Sequence, residues 1–235
     1  MKLINDKSID MILCDLPYGI NRLIKWDTVI PFDELWEQYE RIIKHNGVII
    51  LTASQPFTSA LVMSNPKLFR YEIIWIKDRA TLFQQANKMP MKKHENILVF
   101  YKKLPTYNPQ FNRGKPYKDN RTERKGMDNY LEKGCVTNKK QVINDGKRYP
   151  TTDLFVPCEV NRKHIHPTQK PVALFEWLIN TYTNKNELVL DNCMGSGTTA
   201  IACMNTNRNY IGFEKDEKYY QLSLERIKNH KIDEL

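Results

Sequence analysis

The chain has 235 residues, of which 41% are hydrophobic, 27% charged and 11% aromatic, with a formal net charge of +9. This composition belongs to one globular domain, or to one domain with a sizeable insertion, and excludes a disordered tail. No stretch approaches the ~20 consecutive apolar residues that cross a bilayer, and residues 1–13 mix acids with bases instead of forming a secretory signal, so a soluble intracellular protein without a membrane partner is expected.

Residues 9–14 form a short apolar run that ends at Asp15 and reads as a strand. In 32–45, Phe32, Leu35, Trp36, Tyr39, Ile42 and Ile43 recur at helical spacing, predicting a helix that Gly47 stops ahead of a strand over 48–51. Residues 56–63 read as a second helix, and 71–77 and 96–101 as strands, being β-rich without helical periodicity. From about Lys102 to Lys163 the periodicity fades into Pro, Gly, Asn and charge, which predicts an insertion or small accessory domain and not a core layer. Regular pattern returns as a helix over 172–182, a strand over 188–191, a helix over 198–204, a strand over 210–213 and a helix over 217–230. Strands alternating with helices predict an α/β fold with a mostly parallel sheet covered on both faces.

The charge is unevenly placed. Residues 1–100 carry 13 Lys+Arg against 11 Asp+Glu, residues 101–170 carry 16 against 7, and residues 171–235 carry 7 against 9. The middle segment therefore supplies the excess, and it interleaves bases with Tyr107, Phe111, Tyr117, Tyr130 and Tyr149, a composition suited to phosphates and to stacking on bases. A basic loop that is merely solvated has the same composition. Five cysteines (Cys14, Cys135, Cys158, Cys193, Cys203) contain no C-x-x-C pair, so neither a disulfide framework nor a metal site is expected.

Three stretches carry chemistry. Cys14-Asp15-Leu16-Pro17-Tyr18-Gly19 follows the first strand, where open α/β sheets bind ligands. The exocyclic amine of a base is a poor nucleophile because its lone pair is delocalised into the ring. Asp15 and the Leu16 carbonyl would each accept one amine hydrogen, Tyr18 would stack on the base, and Pro17 would hold the turn rigid. An ordinary strand-to-turn junction is the plainer reading. His166-Pro167-Thr168-Gln169-Lys170-Pro171 enters the next helix, with Thr168 placed to cap it and Lys170 to meet a carboxylate, or serves only as a helix entry. The run from Leu188 to Thr199 is a strand, a tight glycine turn through Gly195, Ser196 and Gly197, and a helix beginning at Thr198. Asp191 ends that strand and Glu214 ends the next, where an acidic side chain takes two ribose hydroxyls. Pyrophosphate binding favours a third glycine and no acid at Asp191, so this pattern suits a ligand with a cationic amine, such as S-adenosylmethionine.

In this order (D-L-P-Y-G, basic segment, H-P-T-Q-K-P, D-x-x-x-G-S-G-T-T) the motifs resemble those of the beta-type amino-group DNA methyltransferases, which are circularly permuted with the catalytic motif first and the cofactor motif last. The resemblance runs through 32–51 and His94-Glu95-Asn96 and leaves only 102–163 without a transferable motif. It implies a Rossmann-like S-adenosylmethionine-dependent fold made of a catalytic half (1–101), a target-recognition region (102–163) and a cofactor-binding half (164–235). By the same resemblance Asp15, Leu16, Pro17 and Tyr18 act on the target base. Asp191, Gly195, Ser196, Gly197, Thr198 and Glu214 hold S-adenosylmethionine, and Lys170 with Thr168 closes its pocket.

The implied reaction is methyl transfer to adenine N6 in double-stranded DNA, because Asp and not Ser heads the first motif. Cytosine N4 is the alternative acceptor, a DNA-binding protein that no longer turns over is the alternative class, and RNA is disfavoured. A homodimer, a cognate restriction enzyme and a prokaryotic or phage cytoplasm come with the resemblance. Two departures stand out: Leu16 replaces the usual Pro, and the family's further strand at the cofactor adenine, expected ahead of Met1, is not seen, so the cofactor-side edge of the sheet is expected to be incomplete.

Overall fold

In the run Ile-Asp-Met-Ile-Leu-Cys-Asp of β1 (Ile9–Asp15), side chains from Met11 onward point alternately to opposite faces, after an irregularity between Ile9 and Met11, and both faces are covered. Ile9, Ile12 and Cys14 enter one apolar cluster, and Met11 and Leu13 enter another. The computed structural model describes residues 1–19, 27–119, 142–159 and 169–230. The elements that follow β1 are α1 (Phe32–Ile42), β2 (Ile43–Ala53), α2 (Phe57–Ser64), β3 (Phe69–Thr81), β4 (Lys92–Phe100), β5 (Asn112–Arg113), β6 (Tyr117–Asp119), β7 (Val142–Asn144), β8 (Lys147–Arg148), β9 (Asp153–Phe155), α3 (Val172–Tyr182), β10 (Leu188–Asp191), α4 (Thr198–Thr206), β11 (Asn209–Gly212) and α5 (Glu217–Asn229).

Seven strands form one sheet in the order β11-β10-β1-β2-β4-β3-β9. β4 is antiparallel to both neighbours, and the other pairs are parallel. Leu35, Trp36, Tyr39 and Ile42 of α1, with Phe57 and Leu61 of α2, pack on the face that holds Ile12 and Leu51. Leu174, Phe175, Leu178 and Ile179 of α3, with Ala202 and Cys203 of α4, pack on the face that holds Leu13 and Ile50. Each fully buried large side chain in these layers contributes roughly 1.5–3 kcal/mol of transfer free energy. The predicted α/β sheet with helices on both faces is what forms.

Two expectations are corrected. The first helix ends at Ile42, not His45, and Gly47 lies inside β2. Ile43 pairs with Ile9 while Val48 pairs with Met11, so residues 44–47 form an irregularity in the ladder. A Cβ at Gly47 would lie 2.9 Å from the Asp10 carbonyl oxygen, and the glycine therefore serves this close approach and not a helix stop. The second correction is β9, which falls inside the stretch read as an insertion yet pairs with β3, with Val156 buried beside it. A three-residue strand followed by one valine and a proline is too short for periodicity to reveal.

Asp10 links three strands at the amino-terminal end of β1. Its carboxylate accepts from Lys44 Nζ at 2.6 Å and from the Leu188 amide at 3.0 Å. The chain divides into two compact units, one of Met1–Asn108 with Thr151–Leu235 and one of Pro109–Pro150. Within the smaller unit β5 pairs with β8 and β6 with β7. Lys147 lies 3.8 Å from the Phe111 ring centroid and Arg148 4.8 Å from that of Tyr117, so these bases engage the aromatic faces of their own unit.

Gly47→Val is expected to destabilise the fold by about 1–3 kcal/mol, because the backbone of Asp10 cannot yield as a flexible side chain would. Urea denaturation followed by circular dichroism reads the change, and an unchanged midpoint would show that the ladder irregularity accommodates a side chain.

Candidate active site

β10 continues outward to β11, while β1 leads through α1 to β2 on its other side, so the direction of progression reverses between β1 and β10. Crevices at such reversals, outside the carboxyl ends of the strands, bind ligands in open α/β sheets. A cavity of ≈ 1330 Å³ opens there and is lined by Asp15, Leu16, Pro17 and Tyr18 as well as by Asp191, Gly195, Ser196, Thr198 and Glu214.

Asp15, the last residue of β1, is surrounded by donors. Tyr18 Oη donates to its Oδ1 at 2.7 Å, Thr52 Oγ1 donates to the same oxygen, and Lys170 Nζ donates to Oδ2 at 2.7 Å. Thr52 is there because the parallel register sets it opposite Asp15. The Tyr18 ring stacks on Phe57 of α2 at 5.2 Å and 25°. Burial, with Asp15 and Glu95 nearby, raises the Tyr18 phenol well above its ordinary range, which keeps it a donor. Gly19 N–H donates to Asp27 Oδ1 at 2.8 Å and anchors the end of the motif.

Lys170 also faces Glu95 Oε2 of β4 at 3.5 Å, and Glu95 Oε1 pairs with Lys77 of β3. Burial opposes the ammonium, yet Asp15 and Glu95 outweigh it and raise the Lys170 pKa. Burial likewise opposes the Glu95 carboxylate, and Lys170 and Lys77 outweigh it and lower that pKa.

The other side of the cavity is built on the glycine turn. Gly195 and Gly197 take φ of 51° and 76°, in the left-handed region, and a Cβ at Gly197 would meet Ser223 Cβ at 3.3 Å. Asp191, 3% exposed, accepts from Thr199 Oγ1 and from the Cys193 amide at 3.0 Å. Glu214 accepts from the Gly195 amide at 2.8 Å and the Asp216 amide at 2.9 Å. Among the described residues neither carboxylate has a salt-bridge partner. Burial pushes the Asp191 carboxyl up to about 6. Arg226 of α5 reaches back to the Ser196 carbonyl at 3.1 Å and to Thr198 Oγ1 at 3.1 Å, holding the turn from behind.

The described residues that the motifs single out line this cavity except Gly197, which lies behind the turn against Ser223 and Ile227 of α5. Lys170 stands apart from the expectation in one respect: its ammonium meets Asp15, and its carbonyl, accepting from Thr198 Oγ1 at 3.4 Å, touches the turn. Thr168 lies outside the described residues. The Val172 amide at the start of α3 donates to Glu159 Oε1 at 2.7 Å, so a carboxylate upstream caps this helix. Thr52, Lys77, Phe57 and Arg226 were missed. Register supplies the signal for Thr52, whereas nothing in the sequence marks the others.

The family model described as DNA methylase matches residues 9–225. The chain is similar to type II methyltransferase M.HpaI of Haemophilus parainfluenzae, with 26% identity over 97% of this chain and 70% of the relative. It is also similar to DNA adenine methyltransferase YhdJ of Escherichia coli (strain K12), with 28% identity over 97% of this chain and 79% of the relative. Among solved structures the M1.HpyAVI-SAM complex shares the fold, with a TM-score of 0.63 and 22% identity over 94% of this chain and 89% of that one.

The Asp191 carboxyl gives a stability test with a defined sign. Its folded pKa of about 6 lies above the ordinary 3.8, so the stability it contributes is complete below 3.8 and is lost as pH rises through 6. Asp191→Asn is therefore expected to gain relative to wild type, by up to roughly 3 kcal/mol, between pH 4 and about pH 7.5. Denaturant titrations across that range read the difference, and a gap independent of pH would mean that Asp191 is not the titrating group.

Proposed function

Because the chain belongs to the DNA methylase family, we propose that it transfers the methyl group of S-adenosylmethionine to adenine N6 in double-stranded DNA. One observation carries this reading: a single cavity holds two carboxylate systems of opposite character. Asp191 and Glu214, without basic partners among the described residues, suit a ligand that brings its own cationic amine and ribose hydroxyls. Asp15, already surrounded by three donors, suits a neutral N–H. The M1.HpyAVI structure with the same fold is a complex with SAM, YhdJ is named a DNA adenine methyltransferase, and Asp heads the first motif here.

The bound cofactor supplies a methyl group activated by a sulfonium charge. A carboxylate offers about four acceptor positions, so three donors leave Asp15 about one for an amine hydrogen. With the Leu16 carbonyl accepting the second hydrogen, the nitrogen lone pair is drawn out of ring conjugation and toward the methyl carbon. S-adenosylmethionine, held by Asp191 and Glu214, would supply the methyl carbon to that lone pair, and the proton released by the amine would pass to water. Lys170, Thr52 and Tyr18 fix the Asp15 rotamer, and Phe57 supports the Tyr18 ring. The Pro109–Pro150 unit, with 11 Lys+Arg against 5 Asp+Glu, is assigned to holding the duplex. Other candidate DNA contacts in the basic segment, such as Arg121 and Arg124, lie outside the described residues.

Digestion of DNA treated with the protein and S-adenosylmethionine, followed by nucleoside mass spectrometry, is expected to give N6-methyldeoxyadenosine. N4-methyldeoxycytidine would move the acceptor to cytosine, and no methylated nucleoside would leave a DNA-binding protein. Asp15→Ala is expected to lower methyl transfer by about 100-fold or more while cofactor affinity, read by calorimetry, changes by no more than a few fold. Parallel loss of both would move Asp15 to the cofactor side.

Cofactor affinity should be nearly full at about pH 7 and weaken as pH falls through 6, because the free Asp191 carboxyl must ionise before it can meet a cationic amine. Asp191→Asn should bind more weakly and lose that pH dependence. A wild-type affinity that is flat from pH 5 to about pH 7.5 would remove Asp191 from the amine contact.

A further inference from the structure

β3 is antiparallel to β4, as β4 is to β2, so β3 runs in the direction of β1 and β2 and ends at the same end of the sheet as Asp15. Lys77, Arg79, Ala80 and Thr81 line the cavity. After Thr81 pairs with Lys92, the chain makes a ten-residue tip over 82–91.

That tip is ordered by its own backbone. The Gln85 amide donates to Leu82 O at 2.9 Å, Ala86 to Phe83 O at 3.0 Å, and Lys88 to Gln85 O at 2.8 Å. It nevertheless presents apolar side chains to water: Phe83 is 78% exposed, and Leu82, Met89 and Met91 are 41%, 46% and 44% exposed. Scattered apolar residues on a surface need no explanation, but four on one short tip at a cavity mouth do. Arg79 pairs with Asp78 at 3.6 Å, but the tip and its return strand carry Lys88, Lys92 and Lys93 with no acidic residue between 79 and 94, which favours a phosphate-bearing partner.

Asp15 lies in a cavity that a base within a duplex cannot reach, so the target must leave the stack, and the gap it leaves is costly unless filled. We propose that the β3–β4 hairpin is a wedge that enters the base stack, with Phe83 occupying the place of the base delivered to Asp15. The proposal rests on methyl transfer to a base in duplex DNA.

The test begins with a plasmid methylated by wild-type protein, in which sequencing locates the modified base. That site is then made as two oligonucleotide duplexes, one fully paired and one with an abasic position opposite the target, where extrusion costs less. Phe83→Ala is expected to lower the methylation rate on the paired duplex by about tenfold or more, and on the abasic duplex by no more than about threefold. Phe83→Trp is expected to restore the paired rate. Equal deficits on both duplexes, no deficit on either, or a change confined to self-association on a sizing column would each overturn the wedge. A wild-type protein that methylates no plasmid DNA would overturn the reading beneath it, a result distinct from an active wild type matched by Phe83→Ala.

Discussion

Lys170 is 7% exposed, and an ammonium removed from water to that degree keeps its charge only through the carboxylates that face it. Those carboxylates are Asp15 at 2.7 Å and Glu95 at 3.5 Å, and Glu95 is in turn held by Lys77. The four groups come from the end of β1, from β4, from β3 and from the entry to α3. Desolvating such ions costs several kcal/mol each, and removing one partner leaves the others uncompensated. The carboxylate assigned to the target base is therefore oriented by a network that spans the sheet, and not by its own turn alone. Within this network the Thr52 and Tyr18 hydroxyls set the remaining direction of Asp15.

Chain order and spatial order differ in a way that matters for this network. β1 is first in sequence and β10 close to last, yet Ile12 pairs with Leu190 in the interior of the sheet. The cavity needs both strand ends, so it is complete only when the two ends of the chain are docked. A pairing of such sequence separation carries a loop-closure cost that local helices do not. The apolar layers on the two faces supply the compensating burial.

The elements readable in the sequence are those whose whole length is apolar or periodic. α3 and β10 fall where the pattern puts them, because Pro171 opens the helix and Asp191 closes the strand. The β3–β4 hairpin extends beyond its apolar portion into Arg79, Lys92 and Lys93, where alternation disappears and the ladder, irregular after Ile76, resumes at the Thr81–Lys92 pair. Gly47 misleads because a glycine at a helix end and a glycine in a ladder irregularity look alike without the neighbouring strand. At the site, Asp15, Tyr18, Asp191 and Glu214 are legible because turn chemistry surrounds them. Thr52 and Phe57 are ordinary residues until register and packing bring them to Asp15 and Tyr18.

The pairing between β1 and β10 is short. It joins Met11 to Val189 and Ile12 to Leu190 and goes no further, while Asp10 holds the other end through Lys44 and the Leu188 amide. Two parallel strands tied at one end and unpaired at the other make an aperture between them. No β1–β10 rung crosses it. Beyond Ile12 and Leu190 each wall of the aperture is held from its outer side, Leu13 to Asp15 by rungs to β2 and Asp191 by a rung to β11, so both carboxylate systems stand in a common, rigid frame.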